Sequence, residues 1–193
     1  MTVMTVRTKQ PARRRHGFTL VESMATIAVL GILGSTASFL ILDAVDDYMD
    51  ASLSVQLHTE MSIALDRAMR EIRKIELDTG AAGVAPNITS MAVTLLQWED
   101  GSGNAYRLGT SGSELQLQVA GGTIATLLTD VTALEISIYD EDNDDLGVSC
   151  AGATCDEVRR IVIDVTTQRS GVTQSLRCKA FIRSTMSGAQ GGA

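Results

Sequence analysis

Apolar residues run from Phe18 to Leu42, broken only by a few hydroxyls and by one ionisable residue, Glu22. As a helix these 25 residues would reach about 37 Å, more than the roughly 30 Å hydrocarbon layer of a bilayer, so a membrane span is the default reading. Glu22 lies inside that run, where an isolated charge at the bilayer centre costs at least ~2.5 kcal/mol. A carboxylate so placed needs a partner or a route to the headgroups. Gly31 and Gly34 weaken the span and offer small-residue contact surfaces.

The pattern then changes without a break. Val45, Met49, Leu53, Leu57, Met61, Leu65, Ala68, Ile72 and Ile75 recur at spacings of four and three, with acids and arginines between them. This predicts one long helix from Thr19 to about Leu77, its first half in the membrane and its second half packed on a globular domain. The i,i+4 pair Asp66 and Arg70 adds only a few tenths of a kcal/mol. Gly80, Gly83 and Pro86 close the helix.

Beyond residue 87 the period becomes two. Candidate strands are 90–98, 105–108, 114–119, 123–128, 134–139, 158–167 and 172–181, separated by short turns such as Gly121-Gly122 and Ser170-Gly171. Short turns mean antiparallel pairing. The segment Glu114-Leu-Gln-Leu-Gln-Val119 alternates cleanly, so at least one sheet face is wet and the other is covered. The expected fold class is α+β, a long N-terminal helix packed on an antiparallel sheet domain.

Charge divides the chain. Arg7, Lys9, Arg13, Arg14 and Arg15 give +5 before Gly17 with no acid among them; against a net charge of −7 this leaves −12 on the rest. Clustered arginine beside a span marks the cytoplasmic side, which places the acidic body outside the cytoplasm. An acidic body also argues against nucleic-acid binding. The first 17 residues have no apolar face and read as the charged part of a targeting signal. The small-residue Ala-x-Ala pattern of an ordinary secretory cleavage site is missing after the apolar run, which favours retention of the span.

The string Arg13-Arg-Arg-His-Gly-Phe-Thr-Leu-Val-Glu22 resembles the cleavage motif of type IV prepilins and pseudopilins. The resemblance implies that a membrane prepilin peptidase cuts after Gly17, that the new N-terminal residue Phe18 is N-methylated, and that Glu22 meets the N-terminal ammonium of a neighbouring subunit during filament assembly. An ammonium and a carboxylate that are each costly alone in lipid become less so together. Snorkelling of Glu22 to the headgroups is the plainer alternative. The chain departs from the family at position 39, where many members carry a kinking Pro and this one has Phe39. The order of segments around 106–108, 127–140 and 156–166 is similar to that of J-type minor pseudopilins of type II secretion and W-type minor pilins. The large body favours a minor subunit.

Other chemistry is thin. Asp140, Asp142 and Asp144 alternate as in a calcium loop, but position six is Asp145 and position twelve is Ala151, which excludes an EF-hand and favours a solvated acidic loop over a looser calcium site. No other cofactor is expected. Cys150 and Cys155 bracket a four-residue loop, a gap that readily brings their Cβ atoms together in an oxidising compartment. Three free thiols, or a Cys155–Cys178 bond, are the other states open at this point. His58 would be the sole histidine after leader removal and sits on the stalk, away from any nucleophile turn, so no enzyme is expected.

The expected organisation is a basic leader at 1–17, an assembly span at 18–42, an amphipathic continuation at 43–79, a β-rich domain at 80–186 and a tail at 187–193. The function it implies is a minor pilin or pseudopilin that primes or caps a pilus-like or type II secretion filament, anchored singly in the bacterial inner membrane with its domain in the periplasm. Its partners are the prepilin peptidase/methyltransferase and other major and minor pilins. The competing reading is a membrane-anchored binding module that uses the acidic loop.

Overall fold

The computed structural model describes residues 19–81 and 83–187. Two compact units divide the chain, residues 1–48 and 49–193, and each is taken by itself. Helix α1, Leu20–Ile72, runs through both.

In the first unit α1 is exposed along its length, and a stretch of it is long and apolar enough to cross a membrane, with mean hydropathy 2.1 over its best window. Its hydroxyls fold back on their own backbone. Ser23 donates to the Thr19 carbonyl, Thr26 to those of Glu22 and Ser23, Ser35 to Ile32, Thr36 to Ile32 and Leu33, and Ser38 to Gly34. Each of these hydroxyls therefore meets an acceptor inside the helix, which lipid would not provide.

In the second unit the apolar stripe divides. Met49 remains exposed, whereas Leu57, Met61, Leu65, Ala68 and Ile72 are buried, four of them at 0% exposure alongside Ala68 at the same value. Burial thus starts about three turns later than the periodicity suggested. The helix also stops earlier. Lys74 and Ile75 donate to the carbonyls of Glu71 and Ile72, tightening the last turn, and the chain straightens so that Leu77 bridges Pro86. Ile75 still points inward at 1% exposure, which is why the apolar spacing outlasts the helix.

Among the described residues the strands form two antiparallel sheets. β1 (Ile88–Ala92), β2 (Leu95–Glu99), β3 (Ala105–Ser111), β4 (Glu114–Gln118), β5 (Ile124–Leu128), β6 (Val131–Tyr139), β7 (Asp145–Gly147), β8 (Cys150–Ala151), β9 (Arg160–Arg169) and β10 (Val172–Phe181) follow in chain order. The first sheet runs β5-β4-β3-β2-β1-β8 and the second β10-β9-β6-β7. The class is α+β. A short helix α2, Arg183–Ser187, follows β10, and the Ser184 hydroxyl donates to the Ile75 carbonyl at 2.7 Å.

The segment 90–98 is a hairpin, β1 and β2, rather than a single strand. Met91 and Leu96 are five residues apart and would face opposite sides of one strand. A two-residue turn at Val93-Thr94 sets them directly across from each other, both inside, with Trp98 beside them. The turns at Ala120-Gly121 and Ser170-Gly171 carry two successive positive φ angles, the geometry of a tight hairpin connection. Inner residues of both sheets, among them Leu96, Leu108, Leu115, Ile136, Ile161 and Ile163, close over the helix stripe as one core.

Gly109 on β3 lies against the backbone of the β1–β2 turn: a Cβ there would stand 2.9 Å from the Thr94 carbonyl oxygen and 3.0 Å from Leu95 Cδ1. Backbone does not give way as a side-chain tip does. Gly109→Ala should lower stability by about 1–3 kcal/mol in urea titration followed by circular dichroism, the usual cost of overpacking; an unchanged midpoint would show that the hairpin turn yields.

Candidate functional site

The N-terminal end of α1 is built by Thr19. Its Oγ1 accepts from the Glu22 backbone N–H at 3.3 Å, and its carbonyl accepts the first helical bond from Ser23 at 3.1 Å. Thr19 is thereby the N-cap, with Glu22 at the third helical position, the spacing of a capping box. A carboxylate in the first turn is also favoured by the helix dipole. Glu22 itself is exposed, and among the described residues no side chain pairs with its carboxylate. Gly17 and Phe18, the expected cleavage and methylation positions, lie outside the described residues; α1 starts at Leu20, two positions beyond Phe18.

A family model of the prokaryotic N-terminal methylation motif matches residues 12–38. The match takes in the arginine cluster, Gly17, Phe18, Glu22 and most of the span. It supports the type IV prepilin and pseudopilin family, a family of structural subunits processed by a prepilin peptidase and assembled with other pilins, and it supports a membrane-anchored chain. No curated protein matches the chain.

The remaining candidates fall elsewhere. Cys150 and Cys155 are joined by a disulfide, with Cα atoms 5.3 Å apart, and Cys178 is free on β10. Burial pushes the Cys178 thiol above its ordinary pKa, so it is less often the reactive thiolate. Asp140, Asp142 and Asp144 do not gather. Among the described residues no three His, Cys, Asp or Glu side chains are set to hold a metal ion. Asp140 Oδ1 instead accepts from the Asp144 N–H at 2.7 Å, Asp145 Oδ1 accepts from Gly147 N–H at 2.7 Å, and the Arg160 guanidinium bonds Asn143 while lying 4.1 Å over the Tyr139 ring. The acidic loop thus uses its oxygens to shape its own backbone. His58 is exposed on α1.

Local spacing did not reveal the polar clamp on the helix. At the end of β9, Arg169 donates to Asp130 at 2.7 Å and to Glu60 at 3.0 Å, tying α1 to the turn between β5 and β6. These partners are 39 and 109 residues away from Arg169, so no short window contains the pattern. Beside it the Thr167 hydroxyl points at Met61 Sδ at 3.3 Å, and Gln174 Nε2 donates to Ser54 at 2.7 Å.

The bond from Arg169, helped by Gln56, holds the Glu60 carboxyl below its ordinary value of 4.5. A depressed folded-state value gives stability that is whole above about pH 4.5 and fades as pH falls through the lower folded value. Both side chains are partly exposed, at 27% and 37%, which limits the effect to about 1 kcal/mol or less. Glu60→Gln should therefore melt below wild type at pH 7, and the gap should close near pH 3. A gap that persists at pH 3 would mean that packing, not charge, is what the substitution removes.

Proposed function

We propose that this chain is a minor pilin or pseudopilin, a structural subunit that primes or caps a pilus-like or secretion filament. The observation that carries this reading is the motif Arg13-Arg-Arg-His-Gly-Phe-Thr-Leu-Val-Glu22, which runs into a capped helix whose hydroxyls from Ser23 to Ser38 bond their own backbone. In this reading the basic leader at 1–17 keeps the N-terminus cytoplasmic. The peptidase cuts after Gly17, and its methyltransferase activity modifies Phe18. Residues 18–42 wait in the inner membrane, 43–79 continue the stalk, and 80–186 form the periplasmic domain that selects neighbours.

Glu22 would act during assembly. Its exposed carboxylate lies in the first turn of the mature helix, where the ammonium of a neighbouring subunit's first residue could meet it. Each charge alone is expensive in lipid and the pair is less so, which rewards one axial register. The size of the β domain supports a specialised position over a repeating one.

Two measurements test this. Mass spectrometry of the protein from membranes of cells carrying the peptidase should find an N-terminus at methylated Phe18; an intact Met1 would defeat the proposal. Glu22→Ala should leave the far-ultraviolet spectrum and thermal midpoint of the domain unchanged while lowering recovery in sheared filaments at least tenfold, and equal recovery would remove the ion pair from the mechanism.

A further inference from the structure

β6 and β9 pair directly, from Val131↔Thr167 to Tyr139↔Arg160. They are the arms of one hairpin, and residues 140–159 are its connection. That connection is an excursion. It first turns back on its own sheet, where β7 pairs Gly147 with Ile138 and Asp145 with Tyr139. It then crosses to the other sheet, where β8 pairs with β1 through Ser90↔Ala151 and Met91↔Cys150. The strap therefore joins the two sheets at one end and occupies the edge that β1 would otherwise present.

Its attachment to β1 is slight by ladder bonds alone. β8 has two residues, shorter than strands that persist unaided. Three strap residues, Asn143, Gly147 and Gly152, have positive φ angles of 73°, 94° and 54°, turns that glycine and asparagine accept without holding the path by themselves. What anchors it is the Cys150–Cys155 bond. Cys155 is fully buried beside Val158 in the common core, and the bond ties β8 to that anchor across a short turn. Downstream, Arg159 fastens the strap's base by donating to the carbonyls of Val84 and Asp156.

We propose that the Cys150–Cys155 disulfide is a redox lock on this strap. Closed, it holds β8 over the β1 edge; opened, it lets residues 148–154 leave β1 while buried Cys155 and the β6–β9–β10 ladder stay in place. Opening requires a dithiol reductant. Its two thiols supply two electrons and two protons to the Sγ–Sγ bond, leaving thiols on Cys150 and Cys155 and a disulfide on the reductant. The domain's last sheet edge is thus completed only where thiols are oxidised, so the fold itself distinguishes an exported subunit from one still in a reducing compartment.

Backbone amide exchange read by mass spectrometry on the full-length chain in detergent micelles tests the lock. Three samples are compared: oxidised protein, protein reduced with dithiothreitol, and the variant with Cys150→Ala and Cys155→Ala. Reduction and the double substitution should each lower protection of residues 148–154, and of the one amide of the Ser90–Met91 pair that faces β8, by roughly 30-fold, the equilibrium effect of opening so short a cross-linked loop. Amides of β6, β9 and β10 should keep theirs. Unchanged protection in the strap when thiol titration shows the bond open would overturn the proposal. So would a loss of protection spread evenly through β6 and β9, because the bond would then support the whole domain and lock no separable part.

Discussion

Burial of one face of α1 from Leu57 to Ile72 is the contact on which the rest of the second unit depends. The two sheets share few direct bonds, yet their inner residues belong to one core because both close over Met61, Leu65, Ala68 and Ile72. The leucine, methionine and isoleucine side chains among them are worth roughly 1.5–3 kcal/mol each when removed from water. The polar contacts around them act as guides. Arg169 bonded to Glu60 and Asp130 and Gln174 to Ser54 fix where along the helix the second sheet sits, and Ser184 bonded to Ile75 ties α2 to the chain just past its end. Partly exposed ion pairs of this kind add little energy and considerable specificity.

Much of this architecture is legible along the chain wherever a pattern is local. The apolar run, the three-four spacing after it and the bounds of β10 at Val172 and Phe181 follow from periodicity. Where the spacing misleads, the cause is tertiary. Val45 and Met49 keep the rhythm of the stripe but are exposed, since a helical period says which face is apolar and not where along it a partner lies. The break inside 90–98 is visible in retrospect in the odd spacing between Met91 and Leu96. By contrast β8 has no pattern to read in two residues, and it exists because β1 offers an edge and Cys155 an anchor.

The candidate assembly site shows a similar division. Its identity is carried by a short contiguous string, and that string is what the family comparison matches. Thr19 adds a physical reason for part of the string: the residue before Leu20 must accept the orphan N–H groups of the first turn, and a hydroxyl three places ahead of Glu22 does so. Clamp residues such as Arg169 had no such string, because their partners are brought together only by the fold.

The internal bonding of the hydroxyls in α1 has a consequence for recognition inside lipid. Polar side chains in a bilayer commonly serve as adhesive between helices, but here Ser23, Thr26, Ser35, Thr36 and Ser38 already bond carbonyls of their own helix. A neighbouring helix therefore meets a surface with little polar lettering. What it can read is relief, the shallow notches at Gly31 and Gly34 where nothing lies within 4 Å of an added Cβ, and the single charge of Glu22. In the proposed filament such a surface would tolerate many shapes of neighbour along its length and be exacting at one point, its N-terminal end.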